Sequence, residues 1–158
     1  MTTSRDLSLW NEIVRLERSY TSNAFPMLPE IEDLPKTLSI GLNKPEHRGT
    51  ALRLLLLMGE ELKQALFGQL IEIASVGHSD IELCRSVIKS MPRAWVLKTI
   101  ESFTKPILAK GGEEEFRRFA ELLGELDDDL LAKHAEAGLD HDDPEVREVA
   151  QEILANMK

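Results

Sequence analysis

Four short strings divide this chain at near-regular intervals: Asn43-Lys44-Pro45-Glu46, Ser79-Asp80-Ile81-Glu82, Gly112-Glu113-Glu114-Glu115 and Asp142-Asp143-Pro144-Glu145. Each sets a residue suited to a helix N-cap three positions ahead of a glutamate. The cap side chain can accept from the N–H of the third helical residue, and the glutamate can accept from the N–H of the cap; glycine at 112 leaves only the second bond. The strings begin 36, 33 and 30 residues apart. Helix starts recurring at this period are what stacked two-helix units produce, because one helical hairpin cannot bury its own apolar stripe. The expectation is an all-α fold, an α-α superhelix of about four helical hairpins.

A chain of 158 residues is long enough for one core and short for two. Aromatic residues make up only 5%, and leucine, alanine, glutamate and lysine dominate, which favours helix over strand. One domain over 1–158 is therefore expected. It comprises an atypical N-terminal unit at 1–42, hairpins at 43–78, 79–111 and 112–141, and a terminal half-repeat at 142–158.

The pattern within the units supports this division. Residues 5–20 carry Trp10, Ile13 and Val14 at helical spacing, with Leu9, Leu16 and Tyr20 widening the stripe, so Trp10 is expected to anchor the core against the next hairpin. Pro26, Pro29 and Pro35 predict an irregular stretch over 21–35, followed by a short helix with Leu34, Leu38 and Leu42 on one face. Helices are then expected over Pro45–Met58, Glu60–Ala74, a segment lined by Cys84, Val87, Ile88 and Met91, and Arg93–Ala109. Pro106 is expected to kink or shorten the last of these. A further pair holds Phe116, Phe119, Ala120 and Leu123, then Leu130, Leu131, His134 and Ala135 behind a cap at Asp127 or Asp128. A final helix from Asp142 carries Val146, Val149, Ala150, Ile153 and Leu154.

Arginine recurs five or six residues after each cap, at Arg48, Arg85, Arg117 or Arg118, and Arg147, and a Pro-Glu-x-Arg string occurs at both 45–48 and 144–147. The run Asp142-Asp143-Pro144-Glu145-Val146-Arg147-Glu148-Val149-Ala150 with Ile153-Leu154 resembles the first-helix signature of short bacterial HEAT-like repeats of the lyase type. Pro45-Glu46-His47-Arg48-Gly49-Thr50-Ala51 is similar to it, more weakly. The resemblance covers about 43–158 and implies an α-solenoid. In that family the repeated arginine bonds acidic or carbonyl groups of adjacent repeats, and the second helices line a concave face. Most such proteins bind other proteins; some relatives are enzymes or chromophore lyases.

Charge narrows the choice of partner. The net charge is −9, and residues 111–158 hold five Lys/Arg against fifteen Asp/Glu. An acidic surface repels nucleic acid and anionic lipid and attracts basic proteins. Glu113, Glu114, Asp127, Asp128, Asp140 and Asp142 are the candidate acidic rim for such a partner, with Arg93 and Trp95 as a further binding pair. The acids also suit helix starts, where they complement the dipole. Asp140-His141-Asp142-Asp143 has metal-ligand residue types but no calcium-loop pattern, so no metal or cofactor is expected. Nor is there a P-loop, a dinucleotide fingerprint or zinc spacing.

The lone Cys84 excludes an intrachain disulfide, and the polar start and short apolar runs predict a cytoplasmic protein with no membrane partner. Three functions remain: a non-catalytic adaptor, an immunity or inhibitor protein masking a basic toxin or nuclease, and an enzyme on a solenoid such as a DNA-repair glycosylase. The last requires a basic groove, which this charge balance opposes.

Overall fold

The computed structural model describes residues 4–157; the polar start at residues 1–3 and Lys158 lie outside the described residues. Ten α-helices and one 3-10 helix account for nearly all of them, with no strand among the described residues. The helices are α1 (Ser4–Ala24), α2 (Leu34–Asn43), α3 (Pro45–Leu57), α4 (Glu60–Ala65), α5 (Phe67–Ala74), α6 (Ile81–Lys89), α7 (Arg93–Lys110), α8 (Glu113–Leu126), α9 (Asp128–Gly138) and α10 (Pro144–Asn156). The chain divides into two compact units, residues 1–37 and 38–158.

In the first unit α1 runs to Ala24 and a 3-10 turn, Phe25–Glu30, packs on it. The stretch expected to be irregular is thus largely helical: Pro26 sits at the start of the turn, where a missing N–H costs nothing. None of residues 5–37 is buried. Trp10 is 60% exposed and is no core anchor. Periodicity shows that a stripe exists; it does not show what covers it.

The second unit holds the core. Leu42, Leu52, Leu55, Leu70, Ile71, Val87, Ile88, Ile100, Phe119 and Leu122 are fully enclosed. From α5 onward each helix packs on the next in sequence: α5 on α6, α6 on α7, α7 on α8, α8 on α9 and α9 on α10. First helices of successive pairs also meet, α3 with α6 and α8 with α10. Some contacts skip a pair. α5 packs on α8, and Leu108 near the end of α7 joins the cluster of Phe116, Val146, Val149 and Ala150. Gly138 lets α9 approach that cluster: a Cβ there would lie 2.5 Å from the Phe116 ring and 3.0 Å from the Ala150 methyl.

Helix starts follow proline more closely than the four strings suggested. Pro45 and Pro144 each occupy the first helical position, so the caps are Lys44 and Asp143 rather than Asn43 and Asp142. Asp143 accepts from the Glu145 N–H at 2.9 Å. The cap at the second string is Asp80, one residue beyond Ser79. Gly112 keeps the expected register, and Glu115 accepts from its N–H at 3.0 Å.

Two histidines organise these starts. Nδ1 of His78 accepts from the Asp80 N–H at 3.0 Å, so its other nitrogen donates to the Ile73 carbonyl at 3.0 Å. His141 does the same with the Asp143 N–H at 3.0 Å and the Leu108 carbonyl at 2.7 Å. Arg48 and Arg147 each donate to the carbonyl six residues earlier, Leu42 and His141.

Two further expectations change. The helix foreseen over Glu60–Ala74 breaks at Leu66, whose N–H is shared between the Leu62 and Lys63 carbonyls, and the break lets adjacent Leu66 and Phe67 both be buried. Pro106 does not end α7, which continues to Lys110. Pro106 and Ser102, four residues back, both face solvent, so water can reach the carbonyl that proline leaves unpaired.

Candidate functional site

The acidic third of the chain becomes α8, α9 and α10. Phe116, Phe119, Ala120, Leu122 and Leu123 turn one side of α8 inward, leaving Glu113 and Arg117, one turn apart, on another. On α10, Val146, Val149 and Ala150 are buried, while Glu145, Glu148 and Glu152 follow i, i+3, i+7 and share a face. Together Glu113, Arg117, Glu145, Glu148, Val149 and Glu152 line a hollow of about 370 Å³ between the two helices. Four carboxylates thus surround one guanidinium. Arg117 donates from Nε to Glu113 at 2.6 Å and from a terminal nitrogen to Glu152 at 3.3 Å. The bond to Glu113, with smaller help from Glu152, keeps its pKa above the usual arginine value against the opposing effect of burial.

The hollow does not end there. Arg117 and Glu152 also border a second one, of about 340 Å³, whose walls include Ala120, Gly124, Leu131, Ile153 and Met157. An acidic trough and an apolar hollow therefore meet at one ion pair.

The residues singled out from sequence are distributed as follows. Glu113 lines the trough. Glu114 accepts from the Gly77 N–H at 3.1 Å, bridging to the loop after α5. Asp127 caps α9, accepting from the Asp129 and Leu130 N–H groups at 3.1 and 3.2 Å, and it meets Arg93 at 3.4 Å. Arg93, Asp127 and Asp128 line a third hollow, of about 360 Å³, at the C-terminal end of α8. With 14 residues in α8, that hollow is about 20 Å along the helix from Glu113. Asp140 and Asp142 are exposed and line none of the three. Trp95 is half-buried, edge-on to Phe67 with ring centroids 5.0 Å apart. Sequence reasoning missed Glu145, Glu148 and Glu152, although their spacing carried the signal.

A second polar knot joins α6 to α8. The Arg85 side chain is only 5% exposed and donates to Glu121 at 2.7 Å, Glu82 at 3.1 Å, Glu125 at 3.3 Å and the Arg118 carbonyl at 3.1 Å. Lys89 also pairs with Glu125. Burial alone would raise Glu121, but the bonds from Arg85 and Arg118 outweigh it and hold the carboxyl below its usual range.

Three buried groups lie outside these hollows. The Cys84 thiol donates to the Leu70 carbonyl at 3.3 Å, and burial pushes its pKa up to about 12 despite Arg48 and Arg85. Such a thiol is not a nucleophile at neutral pH. His134 is fully enclosed, stacked on Phe116 at 4.2 Å and edge-on to Phe119, with one nitrogen near the Phe116 carbonyl and Nδ1 unpartnered. Burial pushes its pKa down to about 4. Lys63 is buried with its ammonium on the Ser90 hydroxyl at 2.9 Å.

Among the described residues no group of three or more His, Cys, Asp or Glu could hold a metal ion, and in the 140–143 string both ring nitrogens of His141 are already engaged. No helix of the described residues is long and apolar enough to cross a membrane. No protein-family model matches the chain, and no curated protein and no solved structure matches it.

Proposed function

We propose that this chain is a non-catalytic protein-binding module of HEAT-like, α-solenoid type, and that it grips a basic segment of another protein along the trough between α8 and α10. The observation that carries the reading is the junction of the acidic trough with the apolar hollow at Arg117 and Glu152. Four carboxylates around one arginine leave an excess of negative charge facing solvent, which draws in a cationic side chain. The adjoining Leu131, Ile153 and Met157 offer an apolar seat beside it. A segment carrying lysine or arginine next to a large apolar residue satisfies both. Arg85 and Arg117 reach carboxylates of a following helix, Glu121 and Glu152, as the family resemblance has its repeated arginine do, while Arg48 and Arg147 bond carbonyls six residues before them.

The same charge suits the second reading, an immunity or inhibitor protein covering a basic toxin or nuclease. The two differ in the partner, not in the surface.

The test is affinity capture from the native host with the wild type and with Glu145→Lys/Glu148→Lys, at about 50 and about 500 mM salt. Basic proteins held by the wild type at low salt, released at high salt and absent from the variant are the expected result. One tight partner of enzymatic kind, bound one to one, selects the inhibitor reading. Identical capture by both forms removes the trough from the function.

A further inference from the structure

The least satisfied surface of this protein is in the other unit. On α1, Leu7, Leu9, Trp10, Ile13, Leu16 and Tyr20 are all between 45% and 60% exposed. A 21-residue helix with none of residues 5–24 buried has little tertiary support for its helicity, and such a helix is marginal in water. Leu9, Ile13, Leu16 and Tyr20 follow the four-three-four spacing of a coiled-coil seam, and Trp10 flanks it.

We propose that α1 pairs with α1 of a second copy of this chain, antiparallel, with Ile13 layered on the partner's Leu16 and Leu9 on the partner's Tyr20.

Three observations select this occupant. First, the other exposed large apolar residues of the described chain are Met27, Ile40, Leu57, Val76, Leu139 and Met157, dispersed over separate elements. Among the described residues the one continuous exposed apolar stripe is that of α1 itself. Second, two such stripes laid together would bury on the order of 1,200 Å² in total, at the lower limit of what stable dimers use. Third, the charges choose the direction. A parallel pair would set Glu12 beside the partner's Glu17, whereas the antiparallel pair sets Glu12 near Ser19 and Glu17 near Trp10. Lipid is the poorer fit: α1 carries Arg5, Arg15 and Arg18 against Asp6, Glu12 and Glu17, so it has no cationic excess, and Arg15 is already bonded to Glu12 at 2.7 Å.

The experiment is sedimentation equilibrium or light scattering on the full chain from about 1 to about 200 µM, beside Ile13→Glu/Leu16→Glu, with vesicles of phosphatidylglycerol as a separate arm. The expected result is a mass rising to twice 17.8 kDa, with self-association at least a hundredfold weaker in the variant. Both positions are exposed in the single chain, so the variant keeps the core, and a urea midpoint equal to that of the wild type at its lowest concentration reports that. A wild type that stays single throughout overturns the pairing, and if it then binds vesicles the lipid surface is the occupant. A variant that still doubles its mass also overturns it. Glu145→Lys/Glu148→Lys leaves the dimer unchanged, which separates this result from failure of the binding trough.

Discussion

Acidifying the protein should weaken it through His134. The imidazole has no solvent exposure, and burial lowers its pKa from 6.5 to about 4. In the unfolded chain it returns to about 6.5 and takes up a proton there first. A histidine with a depressed folded pKa therefore contributes stability that is complete above about pH 6.5 and lost as the pH falls toward 4. The full loss is about 3 kcal/mol, and about 2 kcal/mol of it is gone by pH 5. With a urea dependence of about 2 kcal/mol per molar, the unfolding midpoint should drop by about 1 M between pH 7 and pH 5. Circular dichroism at 222 nm against urea, at pH 7, 6 and 5, measures it. His134→Gln removes that titration, so its midpoint should fall by about 1 M less than that of the wild type over the same interval, even though it begins lower. The difference between the two forms isolates His134 from every other group. Parallel curves would show that the enclosed ring is not held neutral by burial.

Other expectations follow from the same packing. Gly138→Ala should cost about 1–3 kcal/mol, read as a lower thermal midpoint, because the new methyl meets the Phe116 ring and the Ala150 methyl at once. Cys84 should resist a maleimide in native buffer and react stoichiometrically in urea, given its enclosure and raised pKa. Fast native labelling would mean that α6 opens.

The helical class, most helix spans and the inward faces of α6, α8 and α10 were legible because apolar spacing and caps are local signals. Asp127 as a cap was legible for the same reason. The register of Asp142 against Asp143 was not, because proline at the first helical position overrides the better-looking capping box. A helix has two ends, so the acids that start α8 and those that start α9 stand a helix length apart, which the spacing of caps along the chain does not reveal. The trough needed α8 beside α10, and no single-helix pattern carries that. Trp10 marks the limit in another way, since its stripe predicts burial and leaves open whether the cover comes from the same chain.

Arrays in which each unit touches only its immediate neighbours can melt piecemeal from either end. Here the Leu108 carbonyl is bonded by His141, Glu114 holds Gly77, and α5 leans on α8, so ties pass over the intervening pair. Loss of the last helix would strip contacts from two preceding layers at once. Residues 38–158 should accordingly come apart in one cooperative step rather than fray, and truncation at Gly138 should be far more damaging than the number of residues removed suggests.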